Sequence, residues 1–159
     1  VSDLSYMGRL DRRLALIQDA WSFVGKGAPD EMWQRMLGRV PPAWRPRKAR
    51  VHWCGIFYAW MLVRAGIGDW SRWRLGTGIE QYHLSRIEVP DVGDCAVYNP
   101  PGRHIWHHAM VVGTRRMKGG SDRMVMIVAG NTGPAPGKVD ASERSLKDAC
   151  AYYSIEDLL

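Results

Sequence analysis

Apolar positions fall at helical spacing in the first half of the chain and in strand-like runs in the second. The most sharply patterned stretch is residues 52–66, HWCGIFYAWMLVRAG. Phe57, Tyr58, Met61, Leu62 and Ala65 recur at three- and four-residue intervals from Cys54. This predicts a helix with one apolar face and a cysteine in its first turn. Gly66 is the expected left-handed C-terminal cap. Upstream, Leu10, Leu14, Ile17, Trp21 and Val24 form one stripe, predicting a helix over 10–24 that Gly25 ends. A second, short helix is expected over 29–37. Pro29 suits its first turn, Met32, Met36 and Leu37 share a face, and Gly38 stops it. Pro41, Pro42 and Pro46 rule out regular structure over 39–50. Residues 67–76 read as irregular, and Thr77 with Glu80 has capping-box spacing for a short helix through about Ser85.

The period then changes. Residues 89–94, VPDVGD, read as a turn that feeds a strand, Cys95–Tyr98. After a loop at Asn99–Gly102, a second strand is expected over His107–Gly113. Lys118–Asp122 is a hairpin signal leading to a third strand, Arg123–Ala129, and Gly130–Pro134 is a loop. Asp140 and Glu143 have the spacing to cap a helix through about Ala149, and Ala151–Ile155 reads as an edge strand. Helices first and an antiparallel sheet second define an α+β domain.

At 159 residues the chain is the size of one domain with a real core. No run approaches a membrane span, so stable membrane insertion is not expected. Residues 1–5 lack the basic and apolar regions of a signal peptide, although a start at Val1 also fits a leader already removed. The formal net charge of +6 favours polyanionic partners: nucleic acid, anionic lipid or acidic cell-wall polymers. The basic 39–50 segment reads as a solvated loop or as one wall of a groove for such a polymer. The three cysteines, Cys54, Cys95 and Cys150, lack zinc-finger spacing, and an odd number leaves at least one thiol free. Cys95 is expected in the core and Cys150 at a buried helix end, with a Cys95–Cys150 disulfide as a weaker option.

The chemistry centres on Cys54. Unpaired N–H groups and the helix dipole at a first turn favour a thiolate, which makes Cys54 a candidate nucleophile. Such a nucleophile needs a base. Of the five histidines, His52, His83, His104, His107 and His108, two open a strand. Alternation puts His107, Ala109 and Val111 on one face and His108, Met110 and Val112 on the other. The small Ala109 would let the cysteine helix approach, which favours His107 as the base, with His108 as the alternative.

These segments, in this order, resemble the cysteine, histidine-dependent amidohydrolase/peptidase (CHAP) family. Residues 53–66 resemble its nucleophile helix and 89–98 its glycine–aspartate turn and following strand. His107–Gly113 resembles its histidine strand, and 128–133, VAGNTG, its strand-end segment. The likeness spans roughly residues 10–155 and implies a single papain-like catalytic domain over 1–159. It implies cleavage of a peptidoglycan amide, at N-acetylmuramoyl-L-alanine or within the stem peptide or cross-bridge, without metal or organic cofactor. Carried over by position, Cys54 is the nucleophile, His107 the base and Asn131 the family's asparagine. Trp53, Trp106 and Tyr98 are the aromatic residues expected to meet substrate. The family's acidic orienting residue falls on Ala129, a departure that leaves Asn131 to hold the imidazole or the site impaired. A bacteriolytic, monomeric protein is implied, secreted, periplasmic or delivered to the cell wall, with a cognate inhibitor as a further partner.

Other readings compete. His104, His107 and His108 suggest zinc, but neighbouring strand residues point to opposite faces. Basic charge and eight tryptophans suggest a nucleic-acid module, although Trp21, Trp33 and Trp60 have the spacing of core residues. A degenerate interaction domain, or deamidation or transpeptidation by a delivered toxin, completes the set.

Overall fold

The computed structural model describes residues 3–36, 38, 52–69, 84–99, 106–120, 122–134 and 136–159. Among them, three α-helices precede the sheet: α1 (Asp3–Trp21), α2 (Asp30–Met36) and α3 (Cys54–Arg64). The strands are β1 (Ser85–Ile87), β2 (Cys95–Tyr98), β3 (His107–Arg116), β4 (Arg123–Thr132), β5 (Lys138–Ser145) and β6 (Ala151–Ser154). They form one antiparallel sheet in the order β1-β6-β2-β3-β4-β5. The fold is α+β.

The cysteine helix is the centre of the core. Cys54 and every residue from Ile56 to Leu62 are buried, so α3 is enclosed on all sides rather than amphipathic. Gly66, at φ 65°, lets the chain leave the helix in the left-handed region. Phe23, just beyond α1, meets Phe57 and Trp60 edge-on. Arg64 lies 4.9 Å over the Trp60 ring and pairs with Asp19 of α1 and Glu31 of α2. These contacts join the three helices into one layer.

The sheet separates two apolar clusters. Cys95, Val97, Met110, Val112 and Val128 join the helical core on one face. Ala96, Ala109, Val111, Val125, Ile127, Ala129 and Tyr152 form a second cluster on the far face, with Leu146 and Ala149 against it.

A buried ionic knot ties the layers together. Asp94, at the end of the 91–94 turn, accepts hydrogen bonds from Arg13 Nη1 of α1 at 2.8 Å, Ile155 N at 3.1 Å and Asp91 N at 2.8 Å. Arg13 also donates to Val92 O and to Glu156. Burial opposes the charge on Arg13, but pairing with Asp94 outweighs it and raises the guanidinium pKa. The Tyr58 hydroxyl of α3 donates to Gly93 O at 2.9 Å. Gly93 N and Val111 N then exchange backbone bonds with Val111 O and Asp94 O, which registers the turn against β3.

Several expectations change. The α1 stripe is rotated: Arg13, Leu16 and Ala20 are buried, whereas Leu14 and Trp21 are 41% and 43% exposed. The helix expected over 140–149 is instead β5 followed by a single 3₁₀ turn, Leu146–Asp148, whose capping box is Ser145 with Asp148. Residues 138–145 pair along β4, and non-local pairing overrides a local capping signal. For the same reason β4 runs past Ala129 to Thr132. Ser85 opens β1 rather than closing a helix. Cys95 is buried as expected, but Cys150 is exposed, and all three thiols are free. The basic 39–50 loop, Trp70, Trp73, the Thr77–Glu80 box, His83 and His104 lie outside the described residues.

Candidate active site

Cys54 opens α3, where the N-cap residue Trp53 supplies no side-chain cap. The first-turn N–H groups are therefore unclaimed by side-chain capping. The backbone N–H groups of His108, Gly55 and Cys54 are directed at the thiol and favour its ionised form. Burial acts more strongly and raises the Cys54 pKa. The thiol donates to Trp106 O at 3.8 Å. Burial thus opposes the thiolate that the helix terminus was expected to favour.

His108, not His107, faces the cysteine helix. Strand alternation holds, but the helix packs on the face carrying Met110 and Val112, while Ala109 and Val111 belong to the far cluster. The close approach is made from the helix side. A Cβ on Gly55 would lie 3.2 Å from His108 Nδ1, so the missing side chain seats the imidazole against the first turn of α3. Burial and then the neighbouring His107 push the His108 pKa down to about 4. His107 is itself lowered, by burial, Arg144 and His52.

This shift carries a stability prediction. The unfolded imidazole titrates near 6.5, so the folded protein keeps His108 neutral at a cost only where the unfolded chain takes up a proton. The stability linked to neutral His108 is complete above about pH 6.5 and is lost as pH falls through the folded value, an effect of up to about 3 kcal/mol. Urea unfolding measured from pH 7.5 to 4 should show a steeper acid loss in wild type than in His108→Gln. Parallel curves would remove the buried neutral imidazole.

The remaining expected site residues divide. Trp106, 53% exposed, borders the same cavity as His108. Trp53 is 1% exposed, donates from Nε1 to Pro136 O at 2.9 Å and packs edge-on against Phe57. It is a packing residue and not a substrate contact. Tyr98 pairs in register with His107 on the far face, away from Cys54. Asn131, at φ 59°, places its amide 3.3 Å from His52 Nδ1, so it holds His52 rather than the imidazole beside Cys54. Neither pairing was legible from spacing, because His52 and Asn131 are 79 residues apart.

No family model, curated protein or solved structure matches this chain. The site is therefore read from its own geometry. Gly130 lies on β4 two residues beyond Val128, the partner of Met110. A Cβ at Gly130 would fall 2.4 Å from Trp53 Cζ3 and 2.9 Å from Phe57 Cβ. The Trp53 ring thus packs directly on Gly130, while Ala129, where the resemblance places the acidic residue, lies in the far-face cluster. Beyond His108 a cavity of about 240 Å³ opens over the helix-side face, bordered by Val97, Trp106, Ala151, Tyr153, Cys150 and Arg86.

Proposed function

We propose that the protein is a cysteine-dependent amide hydrolase of papain-like, CHAP-like type acting on peptidoglycan, with Cys54 as nucleophile and His108 as base. The observation that carries this reading is the seating of His108 against Gly55, beside a thiol surrounded by backbone N–H groups and next to an open cavity. The His108 backbone N–H reaches the Cys54 thiol, its imidazole sits on the first turn of α3, and the same residue borders the cavity, which supports a reading as acyl transfer.

The chemistry starts from a neutral pair. The Cys54 proton passes to His108 as sulfur attacks the amide carbonyl, and helix-start N–H groups, that of Cys54 first, stabilise the oxyanion. The C–N bond breaks as His108 returns the proton to the leaving amine, giving a thioester. Water adds to it with loss of a proton to His108, and C–S cleavage restores the thiol. Because burial pushes His108 down to about 4, its imidazole stays unprotonated well below neutral pH, and proton transfer from the buried thiol is uphill until sulfur attacks.

The test is digestion of purified Gram-negative and Gram-positive sacculi with wild type and Cys54→Ala, read by mass spectrometry. Wild type should release fragments whose masses name the bond, and Cys54→Ala should release none. A folded, reduced wild type that releases nothing would exclude wall hydrolysis. A second reading, an interaction domain that has lost turnover, is favoured by one observation: Ala129, where the resemblance places the acidic orienting residue, is apolar and lies in the far-face cluster. That reading requires binding to sacculi without fragment release.

A further inference from the structure

The cavity beside His108 has a defined floor and one fixed charge at its far end. His108, Val97 and Ala151 lie in register on three adjacent strands, β3, β2 and β6. The small Ala151 deepens the trough, and Trp106 and Tyr153 border it. On the next strand, β1, Arg86 pairs in register with Tyr153 and completes the border. Among the described residues, Arg86 is the one of permanent charge on this cavity. Its Nη2 donates to Cys150 O at 3.3 Å, and no ion pair claims its charge among the described residues. A guanidinium held by one backbone carbonyl keeps further donors for a carboxylate.

We infer that Arg86 anchors a carboxylate of the substrate, and that the cleaved amide therefore belongs to an acidic peptide. Three strand spacings separate the β3 and β1 backbones, about 14 Å in all. The reach of the arginine side chain shortens this, so the carboxylate lies roughly two to three extended residues from the His108 end of the cavity. The trough between them is bordered by Val97 and the small Ala151. This inference rests on Cys54 as the reacting atom and adds the chemical class of what it attacks.

The test uses two probes, iodoacetyl-Gly-Ala-Ala with a free C-terminal carboxylate and its C-terminal carboxamide. In each, a cysteine sulfur displaces iodide. Rates of Cys54 labelling are measured by peptide mass spectrometry in a Cys150→Ser background, for Arg86, Arg86→Gln and Arg86→Lys. N-acetylcysteine gives the intrinsic acid-to-amide ratio. With Arg86 present, that ratio should rise about tenfold above the intrinsic value, and added salt should reduce it. Arg86→Gln should return it to the intrinsic value, with an unchanged near-ultraviolet circular dichroism spectrum showing the fold intact. Arg86→Lys should retain part of the preference. Equal ratios in wild type and Arg86→Gln, with Cys54 labelled, would overturn the carboxylate anchor and leave the nucleophile standing. Failure of both probes to label Cys54 would remove the nucleophile, and the anchor with it.

Discussion

His108→Ala is expected to reduce fragment release from sacculi by on the order of 10²–10⁴-fold, whereas His107→Ala should stay within about tenfold of wild type. The two residues are adjacent and both are shifted by burial, so composition alone does not separate them. Position does. His108 shares the helix-side face with Val97 and Met110, and its ring meets the space above Gly55. His107 lies across from Tyr98 on the opposite face, toward Arg144 and His52. A general-base role also predicts the pH profile. The acid limb of activity should fall near pH 4 in wild type, following His108. A limb near 6.5, or a larger loss from His107→Ala, would mean that the base has been assigned to the wrong residue.

Asp94→Ala should cost about 3 kcal/mol, because it leaves the buried Arg13 guanidinium with only the half-exposed Glu156 as counter-charge. The side chains of both partners are at most 5% exposed, so water does not substitute for the lost carboxylate. Ile155 N and Asp91 N lose their acceptor as well. For a domain of this size the melting temperature should drop by roughly 10 °C, measured by near-ultraviolet circular dichroism of the tryptophan-rich core. The paired replacement Arg13→Met with Asp94→Leu should lose less than Asp94→Ala alone, since it removes the uncompensated charge. A single-mutant loss below about 1 kcal/mol would show that the pair does not hold α1 to the turn.

Local patterning revealed the elements nearest the chemistry. The cysteine helix, the 91–94 turn, β2, β3 and the start of β4 follow from periodicity and turn residues alone. What escaped was tertiary. The side of the sheet on which a helix packs is not encoded in the alternation of one strand, so the choice between His107 and His108 turned on a small residue in the wrong element. Gly55, not Ala109, supplies the close approach. Residues 138–145 carry a capping-box spacing and few large apolar side chains, and only pairing with β4 makes them a strand. Arg13 and Asp94 are 81 residues apart, and an arginine on a predicted helix reads as a solvated face until its partner is seen.

The contact between Trp53 and Gly130 limits how this site can change over evolutionary time. Any side chain at position 130 meets the indole ring. Removing the ring first leaves a cavity at the start of α3 and frees Pro136 O of its donor. Either order of substitution passes through a damaged intermediate, so packing alone holds position 130 to glycine.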